Sequence, residues 1–267
     1  MVVRPDQVTL GVLVTAVPRD AVDAAVAACG VGDRRGGGKL PAHVVAYLTM
    51  GLCLFRDEDY GEVATKVTDA LSRWGCWDAS WSVPTAGGGI SQARKRLGRH
   101  VLAEVFERVA GPVADRSTRG AWLRGWRLLG IDGFEVDLAD TDGNAEEFGY
   151  AGSGDNRSAF PKARVVALAE CGTHAFVAAA LGSYSVGEKT LANGLYQRLR
   201  PEELLTADRN LCATRRFIAF PAQSGGIGGV FLDPMAYPDS KEGRGREHAR
   251  KPAVVSRRME RRAGGSA

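Results

Sequence analysis

The hydrophobic period of this chain changes once, near Trp126, and that change constrains the fold more than any single motif. Before it, apolar residues recur at helical spacing; after it, RLLGIDGFEVDLAD alternates apolar with polar or acidic positions in the manner of a strand. The spacing therefore predicts an N-terminal all-α region followed by an α/β region. In the first part, PRDAVDAAVAAC (18–29) reads as a short helix stopped at Gly30, and VGDRRGGGK as a connector. A long helical stretch opens at Leu40, with AHVVAYLTMGLCLF apolar on nearly every face and YGEVATKVTDALSRW amphipathic, the two meeting around residues 56–59. GCWDASWSVPTAGGG reads as a loop. Ser91 is then placed as an N-cap, and a helix with Val101, Leu102, Val105, Phe106 and Val109 on one face follows.

In the second part the strand through Ile131 and Asp132 is followed by a polar, glycine-rich excursion (141–158). Two strands come next, ARVVALAEC and HAFVAAALGSYS, joined by a tight turn at Gly172 and Thr173. An amphipathic helix over 188–199 and a short apolar run, ELLTA, end the series at Asp208. The order is strand, strand, strand, helix, strand.

Two acids occupy the same kind of place, Asp132 after LLGI and Asp208 after LLTA. Were these strands neighbours, the carboxylates would converge at one edge, and paired aspartates suit a hard cation such as magnesium. Aspartate after a strand also serves as a turn former, so the pattern alone leaves both readings open. Glu135, Asp137, Asp140 and Asp142 cluster nearby, with Glu135 and Asp137 on the opposite face from Asp132 and expected to be solvated. The four histidines are isolated from one another in sequence, which gives no support to a zinc site. Arg94, Lys95, Arg96 and Arg99 are candidate phosphate contacts on a helix, set against an ordinary solvated surface.

Composition narrows the class. With 45% hydrophobic and 25% charged residues the chain is globular, and the five cysteines are widely spaced with no C-x-x-C pair, consistent with a reducing cytoplasm. No stretch reads as membrane-spanning, and the start, MVVRPDQ, lacks the features of a secretory signal. The formal charge of +4 is localised: residues 241–262 carry a net of +6, and everything else sums to −2.

The blocks LPAHVVAYLTMGLCLFRDEDYGEV, SQARKRLG, LLGIDGFEVDLADTDGNAEEFG, AFPKARVVALAECGTHAFVAAALGSYSVGEKTLA and LRPEELLTADRN, in this order over about residues 5–210, resemble bacterial transposases of the insertion sequence 4 family in its actinobacterial version. The resemblance implies a helical DNA-binding region (1–120) and a ribonuclease H-like catalytic core (121–210). It further implies a DDE triad using Mg2+, with Mn2+ able to substitute. Asp132 matches the first catalytic and metal-binding aspartate and Asp208 the second. The implied activity is cleavage and strand transfer at insertion-sequence ends, with terminal-repeat DNA as partner, a homodimer as a further possibility, and a cytoplasmic, nucleoid-associated setting. After Asn210 the family pattern stops. The third acid, expected in a Tyr-x2-Arg-x3-Glu-x6-Lys pattern, is absent, and residues 211–267 read as a basic, frameshift-like tail expected to be disordered. The core is accordingly expected to be incomplete and the enzyme catalytically defective. The alternative is a non-catalytic DNA-binding remnant that occupies insertion-sequence ends or inhibits intact enzyme.

Overall fold

A computed structural model describes residues 5–32, 40–73, 87–208, 211, 220–221, 227–228 and 231–232. The chain divides into two units, Met1–Pro234 and Met235–Ala267, the second lying outside the described residues. So do the glycine-rich connector at 33–39 and residues 74–86, which make up most of the tryptophan-containing loop.

Six helices make the first region: α1 (Pro5–Ala16), α2 (Arg19–Ala28), α3 (Ala42–Leu54), α4 (Tyr60–Arg73), α5 (Gly87–Leu97) and α6 (Arg99–Val109). As its all-round apolarity predicts, α3 is buried at every position from Ala42 to Leu48. Amphipathic α4 turns Val63, Val67 and Leu71 inward, and α5 and α6 add Ile90, Ala93, Leu97, Val101 and Val105 to one core. Gly51 lets α3 and α4 approach closely, since a Cβ there would stand 2.8 Å from Cγ2 of Val67. The Tyr47 hydroxyl, fully buried, donates to the Val17 carbonyl at 2.6 Å. α5 starts at Gly87, so Ser91 is an interior residue of the helix and not its N-cap. Glycine is a poor helix former, so the run reads as loop in the sequence, but packing of Ile90 and Ala93 outweighs that propensity.

The second region is a sheet. β1 (Trp122–Leu123) pairs with β2 (Trp126–Asp137); β3 (Lys162–Glu170), β4 (Phe176–Ser183), β5 (Glu203–Ala207) and β8 (Phe231–Leu232) complete it in the order β4-β3-β2-β5-β8. The β2·β3 and β3·β4 pairs are antiparallel; β5 runs parallel to β2, and β8 parallel to β5. β6 (Phe220–Pro221) and β7 (Ile227–Gly228) form a separate small hairpin. The rest of the basic tail lies outside the described residues.

One face of the sheet is covered by α8 (Glu188–Tyr196), whose Ala192, Leu195 and Tyr196 pack with Leu129, Ile131, Val166, Leu168, Ala178 and Leu205. The polar excursion contains a further helix, α7 (Asp142–Phe148), capped by the Thr141 hydroxyl, which accepts from the Asn144 amide. The β3–β4 connection is wider than a two-residue turn, spanning 171–175 with Gly172 and His174 both at positive φ. Gly172 fits against the chain leading into β1: a Cβ there would meet backbone of Arg119 and Ala121 at 2.7 Å.

Between the two regions, Glu170 at the end of β3 is fully buried and gathers the connecting segment. Its Oε2 accepts the Val113 and Ala114 amides at 3.1 and 2.8 Å and the Thr173 hydroxyl at 2.6 Å, while Oε1 pairs with Arg127. Burial pushes the Glu170 carboxyl up, but the donors from Thr173, Ala114, Arg127 and Val113 outweigh it and hold the group below its ordinary value.

Candidate functional site

β2 is long and continuous, so Asp132 sits in mid-strand and not at a strand end, as its sequence setting had suggested. Pairing with β3 carries the ladder on through Asp137. Leu129 and Ile131 are buried under α8, and alternation sends Asp132 to the opposite, exposed face, beside Ala167 of β3. Asp208 follows Ala207 directly, and Ala207 pairs with Ile131 in the parallel β2·β5 ladder. The two aspartates thus each lie one residue beyond the same rung of neighbouring strands, which run about 4.8 Å apart. Both are exposed.

Local hydrogen bonds orient each of them. Asp132 Oδ1 accepts the Gly133 amide at 2.8 Å, and Asp208 Oδ1 accepts the Leu211 amide at 2.8 Å, which turns the chain just after β5. A pair of exposed carboxylates with oxygen donors only fits magnesium, which commonly binds through one or two carboxylates and completes its shell with water and phosphate oxygens. Among the described residues no group of three or more His, Cys, Asp or Glu side chains could hold a metal ion, so a third acid is not supplied there. A carboxylate from outside the strand, Glu188 at the start of α8, also reaches β2. It rests against Gly133, where a Cβ would lie 2.8 Å from its Cδ. Gly133 faces α8, so Glu188 is across the sheet from Asp132. Nothing in the sequence signalled this contact, which depends on the first residue of α8 reaching β2.

The other acids of the cluster are more than a solvated face. Glu135 pairs with Arg164 at 2.9 Å and Asp137 with Lys162 at 2.7 Å, each with its direct cross-strand neighbour. Asp140 accepts from the Tyr150 hydroxyl at 2.6 Å, and the Arg157 guanidinium stacks 3.6 Å over the Tyr150 ring.

The four candidate phosphate contacts divide by environment. Arg94 is half-buried, donating to the Tyr60 hydroxyl at 2.9 Å and lying over its ring. Arg96 donates to the Leu40 carbonyl at 3.0 Å, and Arg99 pairs with Glu147 of α7. Lys95 is exposed on the same helix. A second ion pair, Arg198 with Glu107 of α6, is bidentate at 2.9 and 2.6 Å. The hydrogen bond to Arg198 lowers the Glu107 carboxyl, and the Glu107 bond raises Arg198. These two pairs link α6 to the sheet region at both ends of the helix.

Comparison with known proteins bears on the helical region first. Residues 7–107 match the insertion element 4 transposase N-terminal family. The chain is also 28% identical over 126 residues to the transposase-named protein InsZ of Escherichia coli (strain K12), an alignment covering 46% of this chain and 42% of that protein. Residues 7–107 are thus similar to the N-terminal region of insertion element 4 transposases. The chain spans less than half the length of the curated relative it matches. No helix among the described residues is long and apolar enough to cross a membrane.

Proposed function

We propose that this chain binds insertion-sequence ends through its helical region and carries the two-aspartate portion of a ribonuclease H-like transposase core, with Asp132 and Asp208 as the catalytic and metal-binding pair. The observation carrying this reading is the shared rung: Ile131 and Ala207 pair, and each is followed by an exposed aspartate. The order β4-β3-β2-β5-β8, antiparallel on one side of β2 and parallel on the other, supports the same core. Mg2+ or Mn2+ held by Asp132 and Asp208 would favour phosphodiester chemistry by stabilising charge on the attacking and leaving oxygens. The chain's own contribution is to fix the two carboxylates on adjacent strands, each oriented by a backbone amide, on a face that α8 leaves open to a DNA strand. Arg94, Lys95, Arg96 and Arg99 contribute phosphate contacts, Lys95 with the fewest ties to the fold.

With two acids and no third beside them among the described residues, turnover is expected to be weak or absent. That deficiency favours a second reading, a DNA-binding remnant that competes with intact enzyme for its ends, because no three-acid group forms among the described residues. The test uses the full chain. Mn2+ binding followed by electron paramagnetic resonance should disappear in Asp132→Ala and Asp208→Ala, while gel-shift affinity for terminal-repeat DNA stays unchanged. Retained Mn2+ binding in both variants would remove the metal assignment. Robust Mg2+-dependent nicking by the native chain, abolished by Asp132→Ala, would remove the remnant reading.

A further inference from the structure

Beyond that reading, we propose that β4 is a self-association strand, pairing antiparallel with β4 of a second copy of this chain to join the two sheets edge to edge. β4 is the terminal strand of its sheet, and no described residue pairs with its outer side. Its sequence, FVAAALGS, is eight residues long and has neither charge nor proline. Exposed edges of this length are ordinarily blunted by lysine, proline or a covering element, because their unpaired amide and carbonyl groups recruit another strand.

The side chains on the open face make a second copy the fitting occupant. Phe134, Val165 and Leu181 form one register row across β2, β3 and β4. Phe134 is 44% exposed and Leu181 61% exposed, an apolar row that runs to the sheet edge and stops there. Antiparallel pairing centred on Ala180 sets Leu181 against the other copy's Ala179, Gly182 against Ala178 and Ser183 against Val177, a large residue facing a small one at the centre. The two copies of Leu181 become diagonal neighbours, within reach across paired strands. The two apolar rows then abut, so that each copy covers the other's exposed end, and the neutral strand brings no like charges together. A two-fold interface of this kind uses the same patch twice. A partner of different sequence would need its own matching edge; a second copy already supplies it.

Leu181 is exposed and can be changed without opening the core. Native chain, Leu181→Lys, Leu181→Glu and an equimolar mixture of the two variants are compared by sedimentation equilibrium from micromolar to hundred-micromolar concentration. Circular dichroism and thermal midpoint confirm the fold of each. The expected result is a dimer mass for the native chain, monomer mass for each single variant, and recovery of the dimer in the mixture, where lysine meets glutamate. A native chain that stays monomeric throughout, or a dimer that persists unchanged in both single variants, would overturn the proposal.

Discussion

The two faces of the sheet obey different rules. On the face that α8 covers, Leu129, Leu168 and Leu205 are almost wholly buried, and farther along the same face Glu135 pairs with Arg164 and Asp137 with Lys162. On the other face stand two exposed aspartates and an exposed apolar row. One face supplies stability, and the groups available for recognition and chemistry collect on the other.

That contrast can be broken at graded cost. The largest effect is expected at Glu170. Glu170→Ala strands the Arg127 guanidinium and the Val113 and Ala114 amides, at about 4 kcal/mol, the range for breaking a buried ion pair by removing one partner, read by urea denaturation. Next comes the covered face, where Leu129→Ala should cost about 3 kcal/mol as a cavity-forming substitution. The open-face counterpart, Phe134→Ser, should change stability by less than about 1 kcal/mol, as expected of a largely exposed position. If the two substitutions cost the same, the distinction between the faces fails.

Acid titration sharpens the comparison. Glu170 has a folded-state value below its unfolded one, so its contribution is present above the unfolded value, about 4.3, and is lost as pH falls through the depressed folded value. Glu203, at the start of β5, behaves oppositely. Burial pushes its carboxyl up, against hydrogen bonding from the Arg200 amide and the charge of Arg200. Its contribution is present below the unfolded value and lost as pH rises through the raised folded one. Glu203→Gln should therefore raise the thermal midpoint at pH 7 and have little effect near pH 3, whereas Glu170→Gln should lower it at pH 7 and matter less in acid. Smallest of all, Asp132→Asn should leave the midpoint almost unmoved, since the side chain is exposed and its hydrogen bond runs to its own neighbour.

Much of this was legible in the sequence. The change of period near Trp126 marks the passage from helices to sheet, and α2, α3, α4, α6, β2, β3, β4, α8 and β5 fall where the patterns put them. Departures have local causes. α7 is one short capped helix, DGNAEEF, with no apolar stripe to read, and α5 begins inside a glycine run. At the site, the identities of Asp132 and Asp208 could be picked out, but their shared rung could not, because parallel pairing of β2 with β5 is a contact between segments about 75 residues apart. The engagement of Arg94 by Tyr60 and of Arg99 by Glu147 depends equally on tertiary approach.

The Glu170 anchor also has a mechanical consequence. A segment between a helical bundle and a sheet, made largely of small and polar residues, would ordinarily act as a hinge at which the two parts swing and melt independently. Here two successive amides of that segment terminate on a buried carboxylate of β3, Gly172 fits against its later residues, and α6 is fastened to the sheet region at both ends by Arg99–Glu147 and Arg198–Glu107. These ties, chiefly the buried Glu170 anchor, are expected to make the bundle and the sheet melt together. If the helices bind DNA as proposed, a load on them would pass through these three ties into the sheet that holds Asp132.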